Sequence, residues 1–180
     1  MKRLAMVIAA MVVLVPASLW AQETPGAEVF GGFSLLTIKD SGARVTPIGW
    51  QASVTANVTE RFGVVGDFGG AYKDDATNCP SCSLYSFLGG VRVGHRVEKA
   101  TIFAHALYGG TRMSSGGGSE TNFTMGYGGG VDINTSEKLA VRIIQFDWLP
   151  MRVDNGTGGK AWLNNVMRFG FGVVFKTSPR

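Results

Sequence analysis

From Trp50 to Val58 the chain alternates without a break: Trp50, Ala52, Val54, Ala56 and Val58 are apolar, and Gln51, Ser53, Thr55 and Asn57 are polar. A two-residue period predicts a β-strand with one face in an apolar medium and one in a polar medium. The same period recurs with Phe62, Val64, Gly66, Phe68, Gly70 and Tyr72 set against Gly63, Val65, Asp67, Gly69 and Ala71. Tyr85, Phe87, Gly89, Val91 and Val93 oppose Ser86, Leu88, Gly90, Arg92 and Gly94. Phe123, Met125, Tyr127, Val131 and Ile133 oppose Thr124, Gly126, Gly128, Gly130 and Asp132. In the last run Met167, Phe169, Phe171, Val173 and Phe175 oppose Arg168, Gly170, Gly172 and Val174. Weaker alternation over 28–38, 101–112 and 138–149 brings the strands to eight, and no segment carries a capped helical period.

The connections between these runs alternate in length. Residues 59–61, 97–100 and 134–137 make short breaks, whereas 39–47, 73–83, 113–121 and 150–162 make long polar or glycine-rich ones. That order predicts an all-β, eight-stranded antiparallel up-and-down barrel with tight turns at one end and long loops at the other. Strands of about ten residues suit a tilted membrane crossing. A soluble barrel of the lipocalin kind is the alternative. It would keep the large apolar side chains inside, yet here the face opposite the aromatics is glycine, serine and threonine with scattered charges. Such a face suits the interior of a small transmembrane β-barrel, with the apolar face in lipid.

Composition agrees with that choice. Glycine reaches 26 of 180 residues, about twice the usual share, and inward glycines allow tight curvature. Charged residues are 17%, below the roughly 25% of soluble domains. Without Lys2 and Arg3 the formal charge falls from +4 to +2, with no block of basic residues. A nucleic-acid partner is therefore not expected. Lys2 and Arg3 precede an apolar run from Leu4 to Val15 and then Leu19-Trp20-Ala21, the layout of a secretory signal peptide. Residues 1–21 are expected to be cleaved, leaving 22–180 as the barrel domain. In an exported chain Cys79 and Cys82 predict a small disulfide at a loop tip.

The inward face carries matched charges. Glu28, Asp67, Asp132 and Asp147 would oppose Arg92, Arg96, Arg142 and Arg168, and buried charges persist only when paired. Asp67, Arg92, Arg142 and Arg168 form the inner set, while Glu28 and Arg96 stand at strand ends where water is the alternative surrounding. Asp67 and Asp147 are the expected partners of Arg142 and Arg168. Arg142 and Asp147 have opposite parity, so both face inward only if a β-bulge intervenes at Ile143-Ile144.

Glu28-Val-Phe-Gly-Gly-Phe-Ser34, Arg61-Phe-Gly-Val-Val-Gly-Asp-Phe-Gly-Gly70, Phe103-Ala-His-Ala-Leu-Tyr-Gly-Gly110, 141–149 and 164–175 resemble the eight-stranded outer-membrane β-barrels of Gram-negative bacteria, the outer membrane protein A/X type. The resemblance covers essentially the whole mature chain and specifies a barrel better than an activity. It implies residence in the bacterial outer membrane, contact with outer-membrane lipids and lipopolysaccharide, and insertion by periplasmic chaperones and the outer-membrane assembly machinery. It also makes the terminal aromatic, Phe175, the assembly signal, although five residues follow it here.

The expected function is a monomeric structural or surface-interaction barrel acting through its four long loops. A narrow, porin-like pore for small solutes is the alternative. No strong catalytic motif is present, so no cofactor, metal or enzymatic activity is expected. A lipid A-modifying enzyme, with His95 or His105 as base and Ser114, Ser115 or Ser119 as nucleophile, is a further alternative. Trp50, Trp148 and Trp162 are expected at membrane interfaces, where an amphipathic ring sits well.

Overall fold

The computed structural model describes residues 26–40, 43–75, 79–97, 99–115, 118–154 and 159–177. The expected signal peptide, 1–21, lies outside the described residues. The elements are β1 (Ala27–Asp40), β2 (Ala43–Val45), β3 (Ile48–Asn57), β4 (Phe62–Asp75), β5 (Cys79–Arg96), β6 (Ala100–Ser115), β7 (Gly118–Asn134), β8 (Leu139–Trp148), β9 (Met151–Asp154), β10 (Lys160–Leu163) and β11 (Val166–Lys176). Eight of them, β1, β3 to β8 and β11, pair antiparallel with their neighbours in chain order, and β11 returns to β1. The sheet is a closed eight-stranded antiparallel barrel. Closure leaves no free edge through the barrel wall, so the strands there satisfy one another's backbone polar groups apart from the register shifts beside β8.

The short turns are built by side chains as well as backbone. Thr59 Oγ1 accepts from the Phe62 and Arg61 amides at 3.0 and 3.3 Å, and Ser136 Oγ accepts from the Leu139 amide at 3.1 Å. Hydroxyls bonding a backbone two or three residues on are the usual way serine and threonine shape a turn. The start of β1 and the end of β11 meet at this end, where the Thr177 amide donates to the Ala27 carbonyl at 2.9 Å.

At the other end the sequence expectation of four long loops needs revision. β4, β5, β6 and β7 run well into the segments expected as loops, and the 39–47 and 150–162 connections contain β2, β9 and β10. β2 folds back on the tip of β1, while β9 adds to β7 and carries β10. Ladder pairing continues past the apolar belt because each hairpin remains in register there, whatever the polarity of its side chains.

The alternating faces fall as the pattern predicts. Phe33, Val54, Phe68, Phe87, Val91, Ile102, Phe146 and Phe171 are exposed on the outside, and their faces carry no charged residue through the middle of the wall. Glycine inside the wall answers to curvature. A Cβ on Gly172 would overlap the Gly31 carbonyl oxygen and sit 2.5 Å from the Gly32 Cα. Gly32 and Gly172 are cross-strand partners on the β1–β11 ladder, so closure brings the two backbones closer than any side chain permits.

Candidate functional site in the barrel lumen

The inward-facing polar residues assemble into two connected layers. In the layer nearer the short turns, Glu28 takes Arg92 at 2.5 Å and Arg96 at 2.8 Å. Asp132 takes Arg142 Nε at 2.7 Å and Arg92 at 3.3 Å. The guanidinium of Arg142 lies between the Phe30 and Phe103 rings, 4.1 and 4.4 Å from their centroids, and that of Arg92 lies 4.1 Å from Phe103. A desolvated cation over an aromatic face adds about 2 kcal/mol. Glu28 is only 4% exposed, whereas the Arg96 side chain is 28% exposed and also donates to the Glu60 carbonyl.

The second layer lies toward mid-barrel and centres on Arg168. Its Nη2 and Nε donate to Asp147 Oδ2 at 2.7 and 2.9 Å, and its Nη1 lies 2.9 Å from Asp67 Oδ1. That last contact is an ion pair without hydrogen-bond alignment. His105 Nε2 lies 2.7 Å from Asp147 Oδ1, and Gln51 donates to Asp67 Oδ2 at 2.6 Å. Gln145 joins the layers: its oxygen accepts from Arg142 at 2.6 Å and its amide donates to Asp147 at 2.8 Å.

All eight predicted lumen charges therefore lie in this one network, but one pairing differs from expectation. Arg142 binds Asp132 rather than Asp67 or Asp147. The β7–β8 register sets Asp132 directly opposite Arg142, with a shift between Val131 and Asp132. Ile143 and Ile144 both face outward, which is the bulge that lets Arg142 and Asp147 share the interior. Gln51, Gln145, Phe30 and Phe103 were not anticipated as network members. The signal was present for the two glutamines, which share the parity of Asp67's layer and of Asp147 respectively.

Toward the loops the lumen changes chemistry. Leu36, Leu84, Leu88, Leu107, Leu149, Met151 and Val166 are buried together there, with Ile38, Met113, Val153 and Leu163 against them. Among the described residues, a cavity of about 10 Å³ beside Asp67, Arg92, His105 and Arg142 has room for no more than one water.

The other singled-out residues are dispersed. Cys82 is disulfide-bonded near the loop end of β5. The Cys79 side chain lies outside the described residues, and Cys79 is the only other cysteine in the chain. Phe175 is 60% exposed on the outer face of β11. His95 faces outward at the short-turn end, and His105 faces the lumen. Ser114 lies nine residues along β6 from His105, about 30 Å, and the Ser115 side chain lies outside the described residues. Among the described residues His105 bonds Asp147 and Ser119 bonds Arg112, so the singled-out histidine and serines do not pair. Trp50, Trp148 and Trp162 are all exposed toward the loop end. Trp50 Nε1 reaches Tyr72 Oη at 3.4 Å and Trp148 Nε1 donates to the Asn164 carbonyl at 2.6 Å.

A closed barrel with an apolar outside, an interfacial aromatic belt and a charged lumen is a transmembrane barrel of the outer-membrane class. The chain belongs to the outer membrane protein beta-barrel domain family, whose model matches residues 7–176, and the protein resides in the bacterial outer membrane. Its fold is similar to that of Neisserial surface protein A, at 14% identity over 84% of this chain and 97% of that one, with a TM-score of 0.70. The N-terminal barrel domain of OprF from Pseudomonas aeruginosa is similar at 10% identity, 86% and 99% coverage and a TM-score of 0.58. The attachment invasion locus protein Ail of Yersinia pestis is similar at 17% identity, 86% and 99% coverage and a TM-score of 0.54. No curated protein matches the sequence.

Proposed function

We propose that this protein is a non-conducting, non-enzymatic barrel that displays its loop-end hairpins at the cell surface, in a structural or surface-interaction role. The observation that carries this reading is the doubly closed lumen: the paired charges at mid-barrel and the leucine-rich plug above them. An ion crossing it would have to shed water against Leu88, Leu107 and Leu149, and then break ion pairs. Delivery by periplasmic chaperones and the assembly machinery, with Phe175 as the signal, and a monomeric state belong to the same reading. Planar-bilayer recording of the purified protein tests it. The expected result is no single-channel steps in molar potassium chloride, and regular small steps would favour the narrow pore. The pore is the second reading because nine ionisable side chains, His105 among them, line the lumen among the described residues, and rearranged pairs would leave a polar path. An unchanged lipid A mass profile on expression is the matching expectation against the enzyme.

A further inference from the structure

The β4–β5 hairpin carries the two cysteines of the chain toward its tip, and its register changes between them. Tyr72 stands opposite Ser83 and Lys73 opposite Cys82, but Asp75 then stands opposite Cys79. Two steps along β4 are matched by three along β5, which is a β-bulge. The bulge answers to the disulfide of Cys82, whose partner can only be Cys79. Residues three apart in a regular strand have Cα atoms about 10 Å apart, and a disulfide needs about 4.4–6.8 Å. The extra residue draws the chain together.

The bond contributes little to the barrel itself. It closes a ring around only Pro80 and Ser81, so it removes little chain entropy from the unfolded state. On its barrel side the ladder continues, with Ser83 held between Tyr72 and Ser114. Breaking the bond therefore relaxes a bulge and leaves the strands paired. The charge around it is asymmetric. Lys73 and Cys82 form a cross-strand pair, with Cβ atoms about 4.5–5.5 Å apart, and both are half-buried on the inward parity of Ala71 and Leu84. Asp75 holds the register position opposite Cys79. An ammonium stabilises a neighbouring thiolate and a carboxylate opposes one, so the bond breaks more readily toward a Cys82 thiolate.

We propose that this disulfide is an exchange site for low-molecular-weight thiols outside the cell. The thiolate of the incoming molecule attacks Cys79 Sγ and forms a new S–S bond there. The Cys79–Cys82 bond breaks, and its electron pair leaves on Cys82 beside Lys73. One disulfide is consumed and one is formed, with no net oxidation, and the proton of the incoming thiol goes to water. Cys82 is half-buried on the inner side of the hairpin, so the bond is open to a thiol of tripeptide size and closed to the cysteine of a folded protein. The exchange chemistry is independent of whether the lumen conducts, and only its placement outside the cell rests on the surface display proposed above.

Glutathione and reduced serum albumin, each offered to the full oxidised chain in detergent and quenched with acid early in the reaction, test it. Intact-mass spectrometry should find one glutathione added at neutral pH without denaturant, and peptide mapping should place it on Cys79 with Cys82 free. Lys73→Gln should slow the addition by about threefold at low salt, and molar potassium chloride should remove that difference by screening. Lys99→Gln, at the opposite end, should leave the rate unchanged. Unboiled samples that keep their gel shift show that each variant is folded. No adduct, an adduct on Cys82, or a Lys73→Gln rate equal to that of the wild type overturns the proposal. Albumin reacting as fast as glutathione overturns the small-thiol assignment. An adduct in detergent with none on intact cells overturns the placement outside the cell alone.

Discussion

At the loop end of the lumen, Leu84, Leu88, Leu107, Leu149, Met151 and Val166 fill the barrel as they would fill a soluble core. A few ångströms deeper, Asp67, Asp147, His105 and Arg168 fill the same width with charge. Both regions exclude water, but they respond differently to damage. Truncating a leucine leaves a gap whose cost grows with the volume lost. Removing one carboxylate leaves its partners charged, buried and unpaired, which costs more than the contact was worth. The polar region is thus the more fragile, although it adds less net stability. Its value is geometric: each guanidinium accepts only a few arrangements of carboxylates, so the network fixes which strands meet at which register.

The largest loss is expected for Asp147→Ala, because Asp147 receives His105, Gln145 and Arg168 together. The unfolding midpoint in detergent should fall by the equivalent of about 3–5 kcal/mol. Leu107→Ala, in the apolar region, should cost about 2–4 kcal/mol in the same assay. Bilayer recordings of that variant should stay silent, since the charged layers still close the lumen beneath it. Phe171→Arg, on the exposed face of β11, should impair insertion by about 2–4 kcal/mol near the bilayer midplane; vesicle insertion assays read this directly. Gly172→Ser, one residue on and facing inward, should cost about 1–3 kcal/mol as overpacking, because its Cβ meets backbone of β1 rather than a movable side chain. A neutral Gly172→Ser would show that the β1–β11 seam is looser than its register implies.

The faces of the strands were legible because lipid imposes a strict period, and Trp50 to Val58 shows it without interruption. The bulge was legible for a related reason: Arg142 and Asp147 could not both face inward otherwise. What the alternation does not carry is distance across the barrel. The partner of Arg142 depends on how β7 and β8 slide past one another, and a period of two is unchanged by a slide of two residues. The apolar plug was missed because Leu84, Leu88 and Leu107 are single residues among glycine and serine on the inward face. They become a core only when the closed barrel brings β1, β4, β5, β6, β9 and β11 together. The glycine pair at Gly32 and Gly172 was legible as curvature but not as a backbone contact, since it joins the first strand to the last.

The central claim, that the lumen charges act as one desolvated unit, is tested most directly by a double-mutant cycle on Asp67 and Arg168. Unfolding midpoints are measured in detergent for the wild type, Asp67→Ala, Arg168→Ala and the double variant. Each single loss should be substantial, and the double variant should lose at least about 1 kcal/mol less than their sum, as expected for directly coupled groups. Strict additivity, or single variants as stable as the wild type, would mean that water solvates each charge separately, and the account of a closed lumen would be wrong.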